Sequence, residues 1–109
     1  MACGKSDPSI GIIGPISNAA TWQSVPERYS PHGDWAVNEL PLSSLDRIST
    51  IFSILHSPRY PRVPLVNGFC FAVKSTVIDA IGLLDEKLFP NGYGEENDYC
   101  LRAGKAGFS

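Results

Sequence analysis

Three carboxylates crowd the stretch Asn91-Gly-Tyr-Gly-Glu-Glu-Asn-Asp-Tyr-Cys-Leu-Arg102, and two of them, Glu95 and Glu96, follow a pair of glycines where a helix should begin. Gly92 and Gly94 free the backbone for a tight approach. The acids then fall in a first helical turn, where unpaired N–H groups and the macrodipole favour negative charge. A carboxylate held there at the edge of a cleft is suited to serve as a general base. The same residues also fit an ordinary helix start, since acids in a first turn are common helix-opening chemistry. Asp98 and Arg102, four apart, can pair on the exposed side, while Leu101 with Tyr99 or Cys100 turns toward a core.

Length and charge narrow the options. A chain of 109 residues is at most one domain with a modest core. A net charge of -2 without any Lys/Arg run argues against a nucleic-acid or anionic-membrane surface. No apolar run approaches the roughly 20 residues that cross a bilayer, and Met1-Ala-Cys-Gly-Lys-Ser-Asp-Pro8 lacks the apolar centre of a signal peptide. A cytoplasmic protein is expected. Cys3, Cys70 and Cys100 are odd in number and far apart, which indicates reduced, mostly buried thiols rather than a disulfide framework or a zinc site. His32 and His56 have no partner at ligand spacing.

The elements that must position the acids can be read in order. Ile10-Gly-Ile-Ile-Gly-Pro15 predicts a buried, central strand stopped by Gly14-Pro15. Met1 to Ser9 reads as the end of something larger, with almost no helix before Asp7-Pro8. Ser17 to Pro26 mixes amides and hydroxyls around Trp22, as a loop over a ligand surface would, and Glu27 to Pro41 predicts irregular surface structure. Ser43 or Ser44 caps a helix to about His56 with Leu45, Ile48, Ile51, Phe52 and Leu55 on one face. Three prolines between Ser57 and Pro64 then hold a stiff, extended connector. Leu65 to Val73 predicts a buried strand, with Gly68 where a backbone or ligand comes close. Ser75 caps a short helix, Thr76 to Ile81, closed by Gly82 in a left-handed conformation. The last helix runs from about Glu95 to Ala106 and ends at Gly107.

Taken together, these residues resemble the C-terminal part of a family 2 glycosyltransferase. The resemblance runs from Asn67 to Phe108: a glycine in a strand, the basic Lys74, a helix ending in Gly82, the Asp85-Glu86 turn, Gly94-Glu-Glu-Asn-Asp-Tyr-Cys-Leu-Arg102 and Ala106-Gly-Phe108. Gly14-Pro-Ile-Ser-Asn-Ala-Ala-Thr-Trp-Gln23 is similar to the segment after the metal-binding strand in bacterial, rhamnosyltransferase-like members that build surface polysaccharides. The resemblance implies an α/β, Rossmann-like GT-A fold, here a partial one. A small mixed sheet with about three helices is expected, lacking the N-terminal nucleotide-binding strands. It also implies a nucleotide-sugar donor, a saccharide acceptor, a divalent cation (Mg or Mn) and transfer with inversion, in the cytoplasm or peripherally at the inner face of the membrane. Two departures stand out. No Asp-X-Asp triplet, the family's metal and donor motif, occurs in the chain, and Glu95-Glu96 replaces the usual Glu-Asp pair.

By this resemblance Glu96 stands where the family places its base, with Glu95 orienting it or the acceptor. The cation's ligand would come from outside this segment, so no metal-ligating residue is assigned. Asn67 and Gly68 border the acceptor or simply pack, and Trp22 stacks on a sugar or fills a core. Asn18 and Gln23 are hydrogen-bond candidates for sugar hydroxyls, Tyr93 is a further candidate, and Asp98 belongs to the motif with a helix-stabilising role favoured. The competing reading is a non-catalytic truncated module that self-associates as a homodimer through its exposed sheet edge and binds no donor alone. A calcium module fits poorly, because Glu95, Glu96 and Asp98 lack the oxygen-rich loop spacing.

Overall fold

A computed structural model describes residues 2–54 and 60–109. Among these, the chain forms four α-helices and one two-stranded antiparallel sheet, joined by long irregular segments. In order they are α1 (Ala2–Ser6), β1 (Ile12–Ile13), α2 (Leu45–Ile54), β2 (Ala72–Val73), α3 (Ser75–Ile81) and α4 (Glu95–Lys105). Short 3₁₀ turns at Thr21–Gln23 and Leu42–Ser44 complete the set. The expected helix end at His56, the apolar position Leu55 and the start of the proline connector, Ser57 to Arg59, lie outside the described residues. So does the side chain of Phe52.

Ile12 pairs with Val73 and Ile13 with Ala72. The strand expected from Leu65 contracts to these last two residues, and the reason is visible in its backbone partners. Val66 N–H donates to Cys100 Sγ (3.4 Å) and Asn67 N–H to Gln23 Oε1 (2.6 Å), while Phe69 N–H turns back onto Asn67 Oδ1 (3.1 Å). Side chains, not a neighbouring strand, satisfy this segment. Ile10 to Pro15 is likewise not central: β2 covers one side, and the backbone of Ser109 touches the other.

The core lies between this small sheet and the last two helices. Ile12, Val66, Val77, Tyr99 and Ala103 are buried together, with Phe71, Ile81 and Phe108 packed around them. Val77 is fully enclosed. Lys74, not Ser75, holds the cap position of α3, since the Lys74 carbonyl accepts from Val77 N–H (3.0 Å) and no side chain caps the turn. Gly82 ends α3 with φ +77° and ψ −161°, outside the left-handed helical region, and donates to Ile78 O at 2.8 Å.

α4 is then fastened to the end of α3. Tyr99 Oη–H donates to Gly82 O (2.8 Å), and the Arg102 guanidinium donates to Ile81 O (2.8 Å) and Leu83 O (3.1 Å). Tyr99 and Ala103, four apart, form the buried stripe. Leu101 falls outside it and is exposed, contrary to the sequence expectation. Cys70 is also exposed rather than buried, and all three cysteines are free. Among the described residues, no helix is long and apolar enough to cross a membrane.

Candidate functional site

Gly92, Tyr93 and Gly94 all take positive φ (75°, 62° and 107°), and this left-handed run aims the first turn of α4. Only glycine adopts such angles freely, so Tyr93 carries local strain and its side chain stands 94% exposed. Gly94 caps α4, its carbonyl accepting from Asp98 N–H at 2.9 Å. A Cβ at Gly94 would also sit 3.2 Å from the Phe89 ring.

The two glutamates that follow diverge. Glu95 folds back under the loop, where a Cβ on Gly92 would lie 3.8 Å from its Oε1, and its Oε2 is buried without a hydrogen-bond partner. Glu96 instead lines a groove of about 180 Å³ with Asn97, Asn67 and Leu65 on one wall. Thr21, Trp22 and Trp35 form the other. A Cβ added at Gly68 would meet the Glu96 carboxyl carbon at 3.6 Å, an ordinary contact. Neither backbone angle nor collision requires glycine at 68; its effect is to leave the flank of the carboxylate open.

The aromatic wall is itself an assembly. Trp35 meets Trp22 in an edge-on contact (centroids 5.5 Å apart, 64°) and stacks on Tyr29 (5.0 Å, 21°). The Arg28 guanidinium lies 5.2 Å from the Trp22 ring centre. Trp35 remains 44% exposed. The groove therefore offers apolar ring surface, two amides and one carboxylate in a small space, the combination that binds a polyhydroxylated ring with one apolar face. Behind Glu96, burial pushes the Cys100 thiol above its ordinary range, the Val66 N–H bond to its sulfur opposes this, and the Glu96 charge adds to the rise.

Of the residues singled out from sequence, Glu96, Asn67 and Trp22 line one groove and Gly68 borders it. Others go elsewhere. Gln23 is buried and spends both ends of its amide on the fold, donating to Pro15 O (2.6 Å) and accepting from Asn67 N–H. Asn18 ties its loop to Asn38, donating from Nδ2 to Asn38 O (3.1 Å), and is not in the groove lining. Asp98 pairs with Arg102 at 2.7 Å. Trp35, Asn97 and Thr21 were not anticipated. Asn97 sits beside Glu96 in sequence and could have been proposed with it, but Trp35 arrives from an aperiodic loop that carries no spacing signal.

Among the described residues no group of three or more His, Cys, Asp or Glu converges, and Glu95 and Glu96 face different surroundings. No family model, curated protein or solved structure matches this chain.

Proposed function

We propose that this chain is the acceptor-side part of a partial GT-A fold that transfers a sugar from a nucleotide-sugar donor to a saccharide hydroxyl with inversion. The reading rests on sequence resemblance and on one structural observation: Glu96 opens into a groove with Trp22, Trp35, Asn67 and Asn97. In an inverting displacement the acceptor oxygen attacks the anomeric carbon as its proton leaves, and the nucleoside diphosphate departs from the opposite face. Glu96 takes that proton. The indole rings offer an apolar face to the sugar, and the amides of Asn67 and Asn97 offer donors and acceptors to its hydroxyls. Glu95, set beside Gly92 and outside the groove lining, is given no part in the proton transfer. Charge on the departing diphosphate must be met by groups supplied from beyond these residues.

The experiment is a transfer assay in a protein that carries this segment together with donor-binding strands. Glu96→Gln is expected to lower turnover by roughly 100- to 10,000-fold while donor affinity stays within twofold or so. Retained turnover would remove Glu96 from the role.

A second reading, self-association without catalysis, is supported by a different observation. Ile51 and Ile54, neighbours three apart on α2, are 58% and 60% exposed, an apolar patch of the kind that seeks a partner.

A further inference from the structure

The β1–β2 ladder ends at the Ile13–Ala72 pair, and just beyond it a side chain takes the place of a strand. Gln23 Nε2–H donates to Pro15 O (2.6 Å) on the extension of β1, and Gln23 Oε1 accepts from Asn67 N–H (2.6 Å) on the segment leading to β2. A carbonyl on one side and an N–H on the other match the two ends of a primary amide in one orientation only. The residue is 7% exposed, and Gly14 makes room for it: a Cβ there would lie 2.5 Å from Nε2.

Gln23 also closes the 3₁₀ turn Thr21–Gln23, whose Thr21 and Trp22 form part of one wall of the Glu96 groove. Thr21 holds φ +49°, a left-handed backbone that a β-branched residue keeps only under constraint. Gln23 N–H donates to Ala20 O (3.0 Å) and Ser24 N–H to Thr21 O (3.1 Å), while Ser17 N–H donates to Gln23 O (3.0 Å). These bonds fix the turn on its own side. Among the described residues, the Asn67–Gln23 bond is the one hydrogen bond that joins residues 17–38 to residues 65–68 or to α4.

We propose that Gln23 is the positioning residue of this groove. Its amide fastens the strained turn to the wall that carries Asn67, and so sets the span between the Trp22 indole and the Glu96 carboxylate. Gln23 itself touches no sugar, and the inference rests on reading the groove as a saccharide site. Loss of either amide bond leaves a buried polar group unpaired and frees Thr21 to relax toward negative φ, which turns Trp22 out of its present place.

The test is Gln23→Glu in the ¹⁵N-labelled chain, read at the Trp22 indole N–H and the Asn67 backbone amide across pH. An ionised carboxylate still accepts from Asn67 N–H but has no proton for Pro15 O, whereas the protonated form restores both bonds. Both signals should be displaced from their wild-type positions at neutral pH and return toward them on acidification. Saccharide affinity, taken relative to wild type at the same pH so that the titration of Glu96 divides out, should be ~10-fold weaker at neutral pH and recover in step. A merely structural role would lower stability without this reversible signature. The same substitution in a Thr21→Asn background, where positive φ is tolerated and the turn is less strained, keeps the chain folded and should show smaller displacements. The proposal is overturned if both signals keep their wild-type positions at neutral pH, if acid does not restore them, or if affinity is unchanged while they move. A wild-type chain that binds no saccharide would instead remove the proposed function, and the two signals would still decide the role of Gln23.

Discussion

α2 and α4 are helices of nearly equal length, yet among the described residues α4 contributes to the buried core and α2 does not. α4 buries Tyr99 and Ala103 against Ile12, Val66 and Val77, and its Arg102 reaches the carbonyls of Ile81 and Leu83. α2 continues from the 3₁₀ turn at Leu42–Ser44 and leaves Leu45, Ile51 and Ile54 exposed. Amphipathic spacing states that a face is suited to burial; it does not supply the cover. The difference lies in what each helix meets, since strand, turn and helix converge on α4. That fixed platform is what gives Glu96 a defined direction, and among the described residues the buried core takes nothing from α2.

Substitutions can break this contrast, beginning with the largest effect. Tyr99→Ala removes a ring that is 2% exposed and should cost ~3–5 kcal/mol in a denaturant titration, enough to unfold a small domain. A loss below ~1 kcal/mol would mean that α4 is no better anchored than α2.

A smaller effect should appear at alkaline pH. Burial raises the Tyr99 hydroxyl above its ordinary value of 10.0, against the opposing Arg102 charge, and burial raises the Cys100 thiol above 9.0. The unfolded chain then loses these protons first, so stability is full below about pH 9 and declines as pH rises through the folded-state values. Tyr99→Phe should cost ~1 kcal/mol at neutral pH through the lost bond to Gly82 O, and should flatten the part of the decline that begins above pH 10. An unchanged alkaline limb would show that Tyr99 is not the group responsible.

At the low end, replacing Ile51 and Ile54 by Ser should change stability by no more than ~0.5 kcal/mol per site while reducing any concentration-dependent association seen by light scattering. A large stability loss would place α2 in a core.

How far the sequence alone reaches follows the same division. Local rules located α3, α4 and most of α2, because glycine stops and helical spacing act over a few residues, although the cap expected at Ser75 is held by Lys74. Trp22, Asn67, Gly68 and Glu96, each singled out from the sequence, lie at one groove, while Glu95, Asn18 and Asp98 do not line it. Contacts across long sequence separations were not legible in the sequence. Nothing near Gln23 announces that its amide bridges Pro15 and Asn67, which is why it read as a ligand contact. Asn18 failed in the same way, since its partner is twenty residues on. The strand expected at Leu65 had the right residues and lacked a neighbour to pair with, and Leu101 was misplaced because Tyr99 and Ala103 take the buried stripe one step away.

The central claim, that the Glu96 groove accepts a sugar, is tested most directly by titrating the ¹⁵N-labelled chain with mono- and disaccharides while following the indole N–H signals of Trp22 and Trp35 and the side-chain amides of Asn67 and Asn97. The account predicts saturable shifts at these four groups for at least one saccharide, weakened by Trp35→Ala. Signals that stay unmoved across the saccharide panel, or shifts confined to residues outside this groove, would contradict it.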